Sequence, residues 1–188
     1  MLSGPSGIGK TTLTKQLADH LGGQAFVEPT EENPYLRRYY NGEIGACYGM
    51  QIQFLASRFS AGIKIAEEIR LGKGPVIQDR CLFDDMLVFA HLQYRIGHMD
   101  EFRYHTCCKI YASIVDVIPK PDIILILKDD TTKMLQRIKD RGNDYEQKIT
   151  IWNLNYQERF YQTPFKVALK KIHPPIPYKK IDLTNNLV

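Results

Sequence analysis

The run Gly4-Pro5-Ser6-Gly7-Ile8-Gly9-Lys10-Thr11 constrains this chain more than any other stretch. It fits G-x-x-x-x-G-K-[ST] at every defined position. Glycines allow backbone angles that turn successive N–H groups toward one anion. A helix starting at Lys10 adds the positive end of its dipole. Lys10 can reach the β- and γ-phosphates of a nucleoside triphosphate such as ATP, and the Thr11 hydroxyl can ligate Mg²⁺. Gly4 to Thr11, with Thr12 beside them, are the candidate ATP-binding residues. Such a loop leaves the end of a strand, yet only Met1 and Leu2 precede Ser3-Gly4. Either the start is truncated or misassigned, or that strand is unusually short.

The rest of the chain alternates strand and helix patterns. Leu13, Leu17 and Leu21 give the helix after the loop one apolar face, and Gly22-Gly23 ends it. Short strands are expected at 25–27 and 75–78, and Gly72-Lys73-Gly74-Pro75 turns the chain between them. Long helices are expected at about 46–71, 84–95, 100–117 and 131–141, and over most of 147–172. The run Ile123-Ile124-Leu125-Ile126-Leu127, in a strand expected at 122–127, reads as buried on both faces. A last strand is expected at 181–183. This order predicts an α/β fold with a mainly parallel, five-stranded sheet flanked by helices.

The chain of 188 residues suits one domain, and its 44% apolar and 24% charged residues are ordinary for a globular protein. No stretch approaches a membrane span, and no secretory signal is expected, which favours the cytoplasm. The net charge of +4 comes without long basic runs, so a polyanionic small ligand accounts for it better than nucleic acid. Cys47, Cys81, Cys107 and Cys108 form no CxxC pair and read as reduced thiols. His91, His98 and His105 recur every seven residues, but Gly97 interrupts any shared helix, so they give no metal site.

Three constellations point to what accepts the phosphate. Glu28 precedes Pro29, which biases it toward extended backbone at a strand end, a suitable place for a general base. Asp79-Arg80 follows the second short strand. An acid there resembles the position that holds Mg²⁺, and Arg80 can bridge the base carboxylate and the transferred phosphoryl group. Asp129 also follows a strand but reads as a helix cap. Arg137 and Arg141, four apart, share one helical face and suit bidentate contact to phosphate. With Gly142 to Glu146 they suggest a lid over about 137–147. Gln51 and Arg58 lie two helical turns apart on one face, and a glutamine offers a base edge both a donor and an acceptor. Phe54, Phe83 and Phe89 either stack near a base or pack the core.

These residues resemble the deoxynucleoside kinase family from Gly4 to about Phe160. The resemblance implies a phosphate-loop kinase fold, a helical lid and usually a homodimer. It implies that Glu28 is the base for the 5′-hydroxyl. Asp79-Arg80-Cys81 resembles the family's Glu/Asp-Arg-Ser motif with cysteine in the serine place. Tyr40, Gln51 and Arg58 match the spacing of the residues on the sugar 3′-hydroxyl, on the base and beside the base. Asp85 matches the acid paired with that arginine, and Arg137, Arg141 and Glu146 match the lid residues. Asn143 stands where a further lid arginine is often found. Arg58 with Asp85 and the lid sequence resemble the deoxyadenosine, deoxyguanosine and deoxycytidine branch, and a purine deoxynucleoside is favoured. The rival is a thymidylate or other nucleoside-monophosphate kinase, but Thr30 to Leu36 stand where those enzymes usually have glycines. A nucleotide-hydrolysing regulatory module would need a guanine-reading Asn-Lys-x-Asp, which is absent from the sequence.

Overall fold

The computed structural model describes residues 1–27 and 30–184, with Glu31 as backbone only. The helices and strands in chain order are β1 (Leu2–Ser3), α1 (Lys10–Leu21), β2 (Gln24–Phe26), α2 (Pro34–Tyr40), α3 (Ala46–Arg70) and β3 (Val76–Gln78). There follow α4 (Leu82–Asp84), a π-helical turn (Asp85–Ala90), α5 (His91–Arg95), α6 (Glu101–Ile114) and β4 (Ile124–Lys128). The chain continues through α7 (Thr131–Asp140), α8 (Ile151–Gln162), α9 (Pro164–Lys171) and β5 (Tyr178–Asp182).

Every strand pairing is parallel, in the order β1-β4-β5 and β2-β3. A single parallel bridge between Leu2 and Asp79 joins the two groups. The short β1 thus lies between the end of β3 and β4. Leu125 N–H donates to Met1 O at 2.8 Å, and Arg80 N–H donates to Leu2 O at 2.9 Å. Both neighbours therefore hydrogen-bond to β1. Since β1 and β3 are adjacent and parallel, the loops leaving their C-terminal ends lie side by side, and a crevice forms there.

Helices cover both faces of the sheet. On one, Ile8, Met134, Ile138 and Leu154 pack against Leu2 and Leu127. On the other, Phe83, Val88, Tyr161, Phe165 and Leu169 pack against Ile124 and Ile126. Cys47, Leu55, Leu82, Met86, Met99 and Cys107 hold α3 and α6 to the segment that begins at α4.

Several sequence expectations need correcting. β2 is a partly exposed edge strand rather than a buried one. The helix expected over 84–95 contains the π-helical turn, an insertion common at functional sites. The helix expected over 147–172 breaks at Thr163-Pro164, because a proline donates no backbone hydrogen bond. Helix α6 ends at Ile114, short of the expected boundary. Helix α2 was not anticipated, although Asn33 caps it by accepting from Tyr35 N–H and Pro34 opens it. Asp129 is not the cap of α7. That role belongs to Asp130, whose carboxylate accepts from Thr132 N–H and Lys133 N–H.

Candidate active site

The glycine-rich loop runs from β1 into α1 and rests on α7. Gly7 has φ of +76°, and a Cβ there would lie 2.4 Å from Met134 O and 2.8 Å from Ile138 Cγ1. Only glycine permits both that angle and that approach. Lys10 is buried, and its Nζ donates to Gly4 O at 3.0 Å and Pro5 O at 2.8 Å. The Ile8 side chain packs into the core, so only its backbone can serve a ligand. Ser6, Gly7, Gly9, Lys10 and Thr11 line the phosphate-side cavity together with Asp79, Arg80, Arg141, Asn143 and Glu146. Thr12 is exposed and does not line it.

The fold brings Thr11 and Asp79, both expected at the metal, together. Thr11 Oγ1 donates to Asp79 Oδ2 at 2.6 Å. Asp79 is buried, and its Oδ1 has no hydrogen-bond partner among the described residues. A buried carboxylate oxygen of this kind is costly unless something pairs with it. A hydroxyl and a carboxylate converging beside a phosphate loop are the hard oxygen donors that Mg²⁺ prefers.

Arg80 occupies a left-handed backbone conformation, with φ of +60°. Hydrogen bonds fix it on two sides, from Asp79 N–H to Phe26 O at 2.8 Å and from Arg80 N–H to Leu2 O at 2.9 Å. Strain of this kind persists only where the surroundings over-determine it. It aims the guanidinium across the loop, with Nη2 3.4 Å from both Gly4 O and Ser6 Oγ and Cζ 4.4 Å from the centre of the Phe89 ring. Cysteine keeps the local bonding expected of serine at position 81. Its Sγ accepts from Phe83 N–H at 3.3 Å, while Asp84 accepts from Cys81 N–H at 3.1 Å. Burial pushes the Cys81 thiol well up, so it stays neutral. Asp84 is fully buried and also accepts from Ser3 Oγ and Tyr161 Oη, tying β1, α4 and α8 together behind the site. Burial raises its pKa, against the opposing effect of Arg80.

A second cavity opens beside the first. Tyr40, Gln51, Phe54, Asp85 and Phe89 line it, as the sequence suggested for substrate. Ser6, Thr30, Arg80 and Glu146 line both cavities, so the two are continuous. Gln51 is 1% exposed, and its Oε1 has no partner among the described residues. Arg58, expected beside the base, does not line the cavity. Its Nε donates to Asp85 Oδ2 at 3.1 Å and its Nη1 to Asp79 O at 2.9 Å, bracing the wall from behind.

In the lid, Arg141 Nη1 lies 3.9 Å from Glu146 Oε1, and Asn143 donates to Glu146 Oε2 at 2.9 Å. Arg137 does not line either cavity, because it pairs with the buried Asp129 at 2.7 Å. The lid docks on α2 through an Arg37–Asp144 ion pair and an Arg37 guanidinium over the Tyr145 ring. Glu28, the expected base, lies outside the described residues.

Sequence reasoning missed Tyr39, Gln93 and Gln157, which also line the substrate-side cavity. Tyr39 Oη donates to Gln93 Oε1 at 2.9 Å. The signal for Gln157 was a polar residue at a position where the pattern Leu154, Tyr161 calls for an apolar one.

The model of the deoxynucleoside kinase family matches residues 1–188. The deoxyadenosine/deoxycytidine kinase of Bacillus subtilis is 34% identical over 147 residues, which are 77% of this chain and 66% of that protein. The chain therefore matches just under two thirds of that relative's length. The deoxyadenosine kinase of Dictyostelium discoideum is 32% identical over 96% of this chain and 70% of its own length. The structure of deoxyadenosine kinase from M. mycoides with products dCMP and a flexible dCDP superposes with a TM-score of 0.77 at 27% identity, covering 96% of this chain and 88% of that one. With its parallel sheet, phosphate loop and paired cavities, the chain belongs to the deoxynucleoside kinase family.

Proposed function

We propose that the chain transfers the terminal phosphoryl group of ATP to the 5′-hydroxyl of a deoxynucleoside, with a purine deoxynucleoside preferred. The observation that carries this reading is the continuous cavity. One end is the phosphate loop, the other is the buried Gln51, whose acceptor oxygen has no partner among the described residues, and Ser6 and Arg80 line the passage between them. A base bearing an amino group next to a ring nitrogen would give Gln51 both its donor and its acceptor partner. Phe54 and Phe89 would flank that base, and Tyr40 and Glu146 would take the sugar 3′-hydroxyl. The relatives' names, deoxyadenosine and deoxycytidine kinases among them, support the substrate class.

In the reaction, Glu28 accepts the proton of the 5′-hydroxyl. The oxygen forms a bond to the γ-phosphorus as the bond to the bridging oxygen of ADP breaks. Lys10, the loop amides, Arg80 and Arg141 stabilise the charge spread over the transferred group. Arg137 joins them only by leaving Asp129. Thr11 and Asp79 would hold Mg²⁺, which supplies charge neutralisation on the phosphates when bound. The lid would keep water from the reacting centre.

The exposed Ile63 and Ile69 of α3 and Phe102 of α6 support a homodimer. The four cysteines are free, which agrees with a reducing, cytoplasmic setting. Among the described residues no helix is long and apolar enough to cross a membrane.

The test is ADP release by the purified protein with ATP, Mg²⁺ and, in turn, deoxyadenosine, deoxyguanosine, deoxycytidine, thymidine and thymidine monophosphate. Turnover should be greatest with a purine deoxynucleoside. Turnover confined to the monophosphate would overturn the assignment in favour of a nucleoside-monophosphate kinase.

A further inference from the structure

Gln157 sits on α8, buried, on the face that also carries the fully buried Leu154 and Tyr161. A carboxamide in that position is unfavourable unless its polar atoms find partners. Its Oε1 has one, since Ser6 N–H donates to it at 2.9 Å. Ser6 is special within the loop. Of Gly4 to Thr11, it is the residue that lines both the phosphate-side and the substrate-side cavity. On the proposed reaction, a residue lining both cavities stands on the path of the transferred group, so the terminal phosphoryl group of a triphosphate would approach Ser6 and a diphosphate would end short of it.

We propose that Gln157 is a positioning residue that occupies the Ser6 amide in the empty site and yields it to the γ-phosphoryl group, so that this side chain sets the discrimination between ATP and ADP. The inference rests on the reading of the chain as an ATP-dependent kinase. The exchange is favourable because an anionic phosphoryl oxygen makes a stronger, charge-assisted bond to an N–H than a neutral amide oxygen does. It also has a cost, since every ATP that binds breaks the buried contact between Gln157 and Ser6. ADP, ending short of Ser6, leaves that contact intact. Before the triphosphate arrives, the same contact keeps the Ser6 amide paired, and it links the loop to the helix that follows the lid.

The experiment is equilibrium binding of ATP and of ADP, each with Mg²⁺ and without nucleoside, to the wild type and to Gln157→Leu and Gln157→Glu. Leucine removes the competing acceptor, which destabilises the empty site but not the ATP complex. ATP should therefore bind about five- to tenfold more tightly to Gln157→Leu, while ADP stays within about twofold of the wild type. Glutamate adds a negative charge beside the γ-phosphoryl position and should weaken ATP at least about tenfold more than ADP. A part with only a packing role would move both nucleotides together. An unchanged ATP-to-ADP affinity ratio in both variants, or weaker ATP binding by Gln157→Leu, would overturn the proposal. If Gln157→Leu does not fold, Gln157→Met carries the same prediction and Gln157→Glu decides independently. A wild type that binds ADP but gains nothing from the γ-phosphoryl group would also refute it while leaving nucleotide binding standing. A wild type that binds neither nucleotide would remove the kinase reading itself.

Discussion

The pair Arg58–Asp85 offers the sharpest energetic test of how the site is built. Both side chains are almost wholly buried, at 4% and 3% exposure, with Nε and Oδ2 3.1 Å apart. Arg58 also donates to the backbone oxygen of Asp79, which is proposed to hold the metal. Asp85→Asn keeps the shape but removes the carboxylate opposite a buried guanidinium. Breaking a buried pair from one side costs about 3–5 kcal/mol, because the remaining charge has lost its compensation. Against a total stability of about 5–15 kcal/mol, that is a large share. For a domain of this size, about 2–4 °C of melting temperature is lost per kcal/mol, so a fall of about 6–20 °C is expected. Urea unfolding followed by tryptophan fluorescence and circular dichroism would measure the free energy, and calorimetry the melting temperature. The double replacement Arg58→Met with Asp85→Leu removes both charges and should recover most of the loss. A loss below about 1 kcal/mol in Asp85→Asn, or a double variant less stable than either single one, would refute the view that desolvated charge dominates this wall.

Three further outcomes are expected. Glu28→Gln should retain ATP binding in a titration while losing most turnover, and near-normal turnover would remove Glu28 from the role of base. Burial raises the pKa of Asp84 above its ordinary value of 3.8. The acid's contribution to stability is therefore fully present below about pH 4 and is lost as pH rises through the raised value. Wild-type stability should consequently fall relative to Asp84→Asn over that window and then run parallel to it. Unfolding curves from pH 3.5 upward test this, and a constant difference across the range would contradict it. Gly7→Ala forces a Cβ to within 2.4 Å of Met134 O at a φ of +76°. It should cost at least about 2 kcal/mol in urea unfolding and abolish ATP binding.

Much of the site was legible because its parts are local. The loop motif, Thr11 and the Asp79-Arg80 pair each follow a strand, and strands in a parallel sheet deliver their following loops to one edge. Gln51 and Phe54 share the inward face of α3 for the same kind of reason, a fixed helical period. The spacing argument failed where a side chain's direction depends on partners far along the chain. Arg58 lies on the same helix as Gln51, yet it turns to the back of the wall because Asp85 and the Asp79 carbonyl are there. Arg137 shares a face with Arg141, yet Asp129 holds it away from the phosphate side. Helix α2 escaped notice because its seven residues show no apolar period and it is held through Asn33 and its packing on α3.

The sequence by itself determined a glycine-rich loop leading into a helix, since eight contiguous residues carry that geometry in their own backbone angles. It also determined most of the order of strands and helices, α2 and the break between α8 and α9 excepted, because periodicity and turn residues are properties of neighbours. The tertiary structure alone decided that β1 lies between β4 and the end of β3, where it hydrogen-bonds to Leu125 and Arg80. It alone decided that Asp79 Oδ1 and Gln51 Oε1 are buried with no hydrogen-bond partner among the described residues. And it alone brought Gln157 to Ser6 across 151 positions. Such contacts follow from how helices pack on the sheet, and no local pattern encodes the distance between two residues so far apart.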